Sequence, residues 1–204
     1  MKQIRFLLST VLVLFVYIQA IAQMPTATIS GQVTLVDGAT SLPGVDVVLT
    51  DELGTTVATT QTNASGEYAF ADIPTGATYS LALNRADGAP LNGVSTFDAV
   101  LIARHILGVE ALSSPLKMIA ADANGSGTIT TFDIVLIRRL ILGISQQFDI
   151  PHWRFVRADL VFPNLDQVFA TLNADPAQFL LGDDLTRNFI AVKIGDVNGS
   201  AVAP

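Results

Sequence analysis

The rhythm of apolar and polar positions changes near residue 85. Before it, apolar residues alternate with polar ones in short runs: Thr28-Ile29-Ser30-Gly31-Gln32-Val33, then Val45 to Leu49, Val57 to Thr62, Tyr68-Ala69-Phe70 and Tyr79 to Leu83. Gly38 to Gly44, Asp51 to Gly54, Asn63-Ala64-Ser65-Gly66 and Pro74-Thr75-Gly76 punctuate them. A period of two with Gly/Pro/Asn turns predicts a small antiparallel β-sandwich. After residue 85 the period becomes helical. Ser95-Thr96-Phe97-Asp98 to Leu107-Gly108 recurs as Thr130-Thr131-Phe132-Asp133 to Leu142-Gly143, 35 residues later. Each predicted helix is apolar over most of its circumference, so cover on more than one side is expected. Gly108 and Gly143 stand where a left-handed residue ends a helix. Units this short cannot each bury a core and are expected to pack on one another.

Two further stretches complete the outline. Residues 145–194 form a less regular insert, broken by Pro151, Pro163 and Pro176, with strand-like Trp153 to Val156 and Phe189 to Ile194. At the other end, Lys2 and Arg5 precede an apolar run from Phe6 to Ile18 and a small-x-small Ala20-Ile21-Ala22. That reads as a secretory leader over 1–22, too short and one-sided for a membrane span. The expected class is α+β: sandwich over 25–84, and a helical unit over 85–204 carrying the insert 145–194. Secretion or display at the cell surface is implied, with no membrane span once the leader is cleaved.

Composition narrows the chemistry. Net charge is −7, and without Lys2 and Arg5 it is about −9, with 18 acidic residues that are nearly all Asp. Such a surface disfavours nucleic acid and anionic membranes and suits divalent cations. There are no cysteines, so a secreted chain built of small units needs another staple.

The second repeat supplies one. Asp122, Asn124 and Ser126 place hard oxygens on alternate positions, Gly127 allows a turn, and Asp133 falls at the twelfth place, at the mouth of the helix. With the Thr128 carbonyl and Thr130, this is the donor pattern of a Ca²⁺ loop. A plain capping box at Thr130-x-x-Asp133 after an Asx-rich turn is the competing reading. The first repeat keeps only the closing half, with Gly93, Ser95 and Asp98, while the chain ends with an opening half, Asp196, Asn198 and Ser200. We expect these halves to form one split site. A third repeat cut short at Asp196, or a weak local site of Asp87 and Asn92, would account for the same residues. No catalytic constellation is found: His105 and His152 are isolated, and the convergent carboxylates of a glycosidase are lacking.

Two resemblances follow from these motifs. Gly31-x-Val33, Pro43-Gly44-Val45-x-Val47-x-Leu49, Gly66-x-Tyr68-x-Phe70 and Pro74-x-Gly76-x-x-Tyr79-x-Leu81 resemble the Cna protein B-type and carboxypeptidase regulatory-like sandwich. The internal Lys–Asn crosslink of some relatives is not expected, because no lysine lies between Lys2 and Lys117. Asp122, Asn124, Gly127, Ile129, Asp133 and Leu142-Gly143 resemble a type I dockerin repeat, although Ser126 stands where an acid is usual. This resemblance implies a secreted, non-catalytic module docking onto a cohesin-type partner in polysaccharide-degrading or cell-surface assemblies. It nominates Thr96, Thr131, Arg104, Arg138 and Arg139 as partner contacts, with Phe97 and Phe132 expected in the core. The alternative is a carbohydrate-binding surface adhesin in which calcium is structural and the sandwich or the Trp153 region holds polysaccharide.

Overall fold

The computed structural model describes residues 24–86 and 90–203. The expected leader and Asp87 lie outside the described residues. Five strands come first: β1 (Thr26–Leu35), β2 (Asp46–Asp51), β3 (Thr56–Gln61), β4 (Glu67–Pro74) and β5 (Thr78–Asn84). Three helices follow, α1 (Thr96–Ile106), α2 (Pro115–Ala121) and α3 (Thr131–Ile141). Then come β6 (Trp153–Arg157), a 3₁₀ turn at Leu165–Gln167, α4 (Val168–Ala174), β7 (Gln178–Leu180), β8 (Leu185–Thr186) and β9 (Phe189–Lys193).

The strands form two sheets, one ordered β4-β1-β9-β6 with β8 also on β1, the other β3-β2-β5-β7. The class is mixed α+β with sandwich-like, largely antiparallel sheets, as expected. The expected insert 145–194 behaves differently from an appendage: all four of its strands join the sandwich. β8 and β9 pair with β1 in parallel, Ile29 opposite Leu185 and Val33 opposite Phe189. β7 pairs antiparallel with β5. The reason is that β1 has β4 on one side only. Its other edge would expose a row of unpaired backbone groups, and the returning chain covers it.

β6 and β9 are the wall between two cores. On one face Trp153, Phe189 and Ala191 pack with Ile29, Val33, Val47 and Leu49 of the sandwich. On the other, Val156, Val192 and Ile194 pack with Ile102, Ile119, Ile137 and Leu140 of the helices. Being covered on both faces explains why Phe189 to Ile194 reads as a nearly unbroken apolar run. Lys193 is the exception, fully buried with its ammonium 4.9 Å from the centre of the Trp153 ring.

Helices α1 and α3 pack against each other and show the same caps. Gly108 and Gly143 both take φ of 68° just past the helix ends. The expectation that each helix is covered on several sides is corrected. α1 buries Asp98, Ala99 and Ile102, whereas Val100, Ile106 and Leu107 are exposed. α3 buries Asp133, Ile134, Ile137 and Leu140 and leaves Val135 and Leu142 exposed. One stripe serves the core and a second is open.

Because β1 and β5 take partners from the C-terminal half, a fragment of residues 24–86 should fail to form the sandwich. Far-ultraviolet circular dichroism and sedimentation should show an aggregated or disordered fragment, while the full chain is folded and monodisperse.

Candidate metal loops and the repeated helix face

The two loops are held by the same set of hydrogen bonds, although one is continuous and the other is not. In the continuous loop, Asp122 Oδ1 accepts the Ser126 N–H at 2.9 Å, and Asp122 Oδ2 accepts that of Gly127 at 2.8 Å. In the other, Asp196 Oδ1 accepts the Ser200 N–H at 2.9 Å and Asp196 Oδ2 that of Ala201 at 2.8 Å. Asn124 and Asn198 each accept the same serine N–H at 3.0 Å. Ser126 donates its hydroxyl to the Thr128 carbonyl at 3.2 Å, and Ser200 donates to the Gly93 carbonyl at 3.1 Å, 107 residues away in sequence. Gly93 thus stands where Thr128 stands.

Each loop is closed by the buried aspartate at the third position of its helix. Asp133 Oδ2 accepts the Thr130 N–H at 2.8 Å, and its Oδ1 accepts that of Ala123 at 3.0 Å. Asp98 Oδ2 accepts the Ser95 N–H at 2.8 Å, while its Oδ1 accepts those of Val197 at 2.8 Å and Asn198 at 3.0 Å. The structure therefore brings Gly93, Ser95 and Asp98 together with Asp196, Asn198 and Ser200, and Asp122, Asn124, Ser126, Thr128 and Thr130 together with Asp133. Beyond the loop, Asn92 bonds both backbone groups of Val202, at 2.7 and 3.1 Å, and fixes the tail beside α1.

The donor chemistry fits a hard divalent cation. Each loop offers two carboxylates surrounded by neutral oxygens, and among the described residues no group of three or more His, Cys, Asp or Glu gathers anywhere. Burial pushes the Asp196 carboxyl above its ordinary pKa, and the neighbouring Asp98 charge adds to the shift. A raised folded-state pKa stabilises the fold below the ordinary carboxylate range, and that stability is lost as pH rises through the raised value. Two adjacent buried carboxylates at neutral pH are the situation a bound cation relieves. The cradle is tight: a Cβ on Gly93, at φ 77°, would lie 2.6 Å from the Ala201 nitrogen and 2.7 Å from Asp196 Oδ2.

The nominated contact residues Thr96, Thr131, Arg104, Arg138 and Arg139 are all exposed. Arg104 is paired with Glu110 at 2.7 Å. Arg138 and Arg139 form no ion pair among the described residues. The expectation that Phe97 and Phe132 are core residues is overturned: they are 54% and 53% exposed. Phe97, Val100 and Arg104 on α1, with Leu107 at its C-cap, repeat as Phe132, Val135 and Arg139 on α3, with Leu142 at its C-cap, and all eight are exposed. Sequence reasoning nominated the arginines of this face, Arg104 and Arg139, and missed its apolar members. Its signal was present as a second stripe with three- and four-residue steps, offset from the buried Ala99 and Ile102. His105 accepts the Leu112 N–H through Nδ1 at 3.3 Å, closing the helix end.

Comparison with known proteins bears on the sandwich. Residues 28–96 match the carboxypeptidase regulatory-like domain family, which supports the reading of the N-terminal segment. Among solved structures, the major pilin subunit BcpA of Bacillus cereus is similar at 22% identity and a TM-score of 0.27, over 28% of this chain and 18% of that one. The pilus 2b backbone protein of group B streptococcus matches at 18% identity and a TM-score of 0.25, over 30% and 27%. A C-terminal fragment of the pilus adhesin SpaC from Lactobacillus rhamnosus GG matches at 25% identity and a TM-score of 0.27, over 32% and 25%. The chain thus spans about a quarter or less of these proteins. No curated protein matches the chain.

The fit at Gly93 is testable by substitution. Gly38→Ala, at φ 70° with nothing within 4 Å of the added methyl, should cost about 1–2 kcal/mol for the left-handed backbone alone. Gly93→Ala carries the same backbone cost and about 1–3 kcal/mol more from the forced contact. Urea denaturation of both variants should show that difference.

Proposed function

We propose that this chain is a secreted, non-catalytic surface module whose helical half is ordered by two calcium ions and docks to a protein partner. One ion would be held by Asp122, Asn124, Ser126, the Thr128 carbonyl, Thr130 and Asp133. The other would be held by Asp196, Asn198, Ser200, the Gly93 carbonyl, Ser95 and Asp98. Bound calcium supplies folding free energy, because these donors cluster only in the native chain. The leader-like residues 1–22 support export.

The observation that carries the docking reading is the repeated exposed face. Among the described residues, Phe97 and Phe132 are the exposed large aromatics, and they stand at equivalent places of the two repeats. Exposed aromatics beside arginines are the composition of interface anchors, and apolar residues exposed twice over at matched positions mark an interaction surface. The partner implied by the repeat pattern is a cohesin-type module, and the pseudo-symmetry of the face allows two docking orientations.

The adhesin reading, with calcium structural only, is favoured by the family match of the sandwich. Its sugar platform is not Trp153, which is 4% exposed and lies beneath the Lys193 ammonium. Binding of cohesin-type modules that is lost in a Phe97→Ala/Phe132→Ala double variant supports docking. A hit on a glycan array that this variant retains, with no cohesin binding, supports the adhesin instead.

Calorimetric titration of the chelated protein should count two calcium ions. Asp122→Ala and Asp196→Ala should each lose one, and chelation should lower the melting temperature of the parent. A count of one that Asp196→Ala leaves unchanged would refute the split site.

A further inference from the structure

The sandwich is open along two seams, where the edge strands of the facing sheets do not pair. The seam between β3 and β4 is a hollow of about 500 Å³. Its polar groups bond one another or nearby groups: Gln32 Nε2 donates to the Ser65 carbonyl at 2.9 Å, Gln61 Nε2 to Asp46 Oδ1 at 2.9 Å, and Asn63 Oδ1 accepts two N–H groups of its own turn. Little is left to recognise a ligand.

The opposite seam, between β6 and β7, encloses about 230 Å³ and has polar groups to spare. Arg187, between β8 and β9, lays its guanidinium on the Phe179 ring, 4.7 Å from its centre. Among the described residues it forms no ion pair, and no hydrogen bond holds its side chain. Its backbone, by contrast, is fixed. The Arg187 N–H donates to the Ser30 carbonyl at 2.8 Å, and its own carbonyl accepts the Tyr68 hydroxyl at 2.7 Å. Gly31 makes room for it, since a Cβ there would come within 1.8 Å of the Arg187 carbonyl oxygen.

Two more arginines, Arg154 and Arg157, line the seam, and Arg157 is already neutralised. Arg157 bonds Asp159 through Nε at 2.9 Å and meets Asp175 Oδ1 at 3.0 Å. That contact is an ion pair without hydrogen-bond geometry, so the buried Asp175 Oδ1 still has an acceptor position open. Burial and the neighbouring Arg157 charge hold Arg187 below its ordinary pKa, against the smaller opposing pull of the Asp159 and Asp175 charges. Phe155 and Leu81 give the seam an apolar wall.

We infer that this seam binds one acidic sugar unit, its carboxylate on Arg187, a hydroxyl donated to Asp175 Oδ1, and its ring face against Phe155 and Leu81. An anion without a donor would meet the Asp175 carboxylate with nothing to offer it. An ammonium group would be repelled by the three guanidiniums that line the seam, whereas a neutral hydroxyl is not. A phosphate dianion would bring two negative charges toward Asp175, where a uronate carboxylate brings one. The volume is below the roughly 300–1,000 Å³ of sites for drug-sized ligands, which suits a single ring. The seam lies apart from the metal loops and does not depend on the docking reading.

The test is an NMR titration of the calcium-loaded full chain with D-glucuronate, D-glucose and acetate, followed at the amides of Phe155, Phe179 and Arg187. Glucuronate should bind, and glucose and acetate should each be weaker by about tenfold or more, as expected when one charge-assisted hydrogen bond is lost. Arg187→Met should abolish glucuronate binding. Arg187→Lys, which keeps the charge but not the planar fork, should weaken it and serves as the readout if Arg187→Met does not fold. Acetate binding as tightly as glucuronate would overturn the sugar assignment in favour of a plain anion site. Absence of glucuronate binding at millimolar concentration, or binding unchanged in either variant, would overturn the proposal itself.

Discussion

A buried carboxylate at the third position of a helix needs several donors, and in this protein the donors come from a loop that must fold back to supply them. Asp133 takes its loop N–H from a segment ten residues earlier, whereas Asp98 takes its own from Val197 and Asn198, 99 and 100 residues later. Leaving such a group without partners costs more than an ordinary hydrogen bond is worth. The Asp98 carboxylate therefore dictates that the end of the chain return to the start of α1. Closing so long a loop carries an entropy cost that grows only slowly with length, so a clip placed there stabilises more than one inside the short loop.

That return has a second consequence. To reach α1, the chain passes through β9, which pairs with β1 and β6 and faces a core on each side. The Gly195 N–H donates to the Ala120 carbonyl at 2.8 Å, and the loop of Asp196 begins at the next residue. The sandwich and the helical pair are thus joined through the strand that ends in the split loop. The split loop continues directly from β9, so a cation at Asp196 would bear on the strand that joins the sandwich to the helices.

Much of this was legible in the sequence where local chemistry decides it. The turns, the strands of residues 26–84, the capping boxes at Ser95 and Thr130 and both helix-ending glycines follow from neighbours a few residues apart. The match of loop halves was legible too, because Asp196-x-Asn198-x-Ser200 repeats the spacing of Asp122-x-Asn124-x-Ser126. The pairing of β1 with β8 and β9 was not. Parallel partners more than 150 residues apart leave no turn between them, and strands of two or three residues such as β7 and β8 are too short to show a period. Helix α2 carried a readable start, with Ser114 as cap and Pro115 at the first position, but it is only seven residues long. Phe97 and Phe132 were misjudged because hydrophobicity says that a stripe is apolar, not whether anything covers it.

A cation bound between Asp98 and Asp196 would hold the returning segment against α1, and the amide protons of Val197 and Asn198, which donate to Asp98, report on it directly. Hydrogen exchange should be measured at these two residues with calcium and after rigorous chelation, with Val47 and Leu49 of β2, which does not pair with β9, as reference. Strong protection with calcium and a large loss on chelation are expected at Val197 and Asn198, exceeding any change at the reference residues. Equal protection of Val197 and Asn198 in both conditions would contradict it.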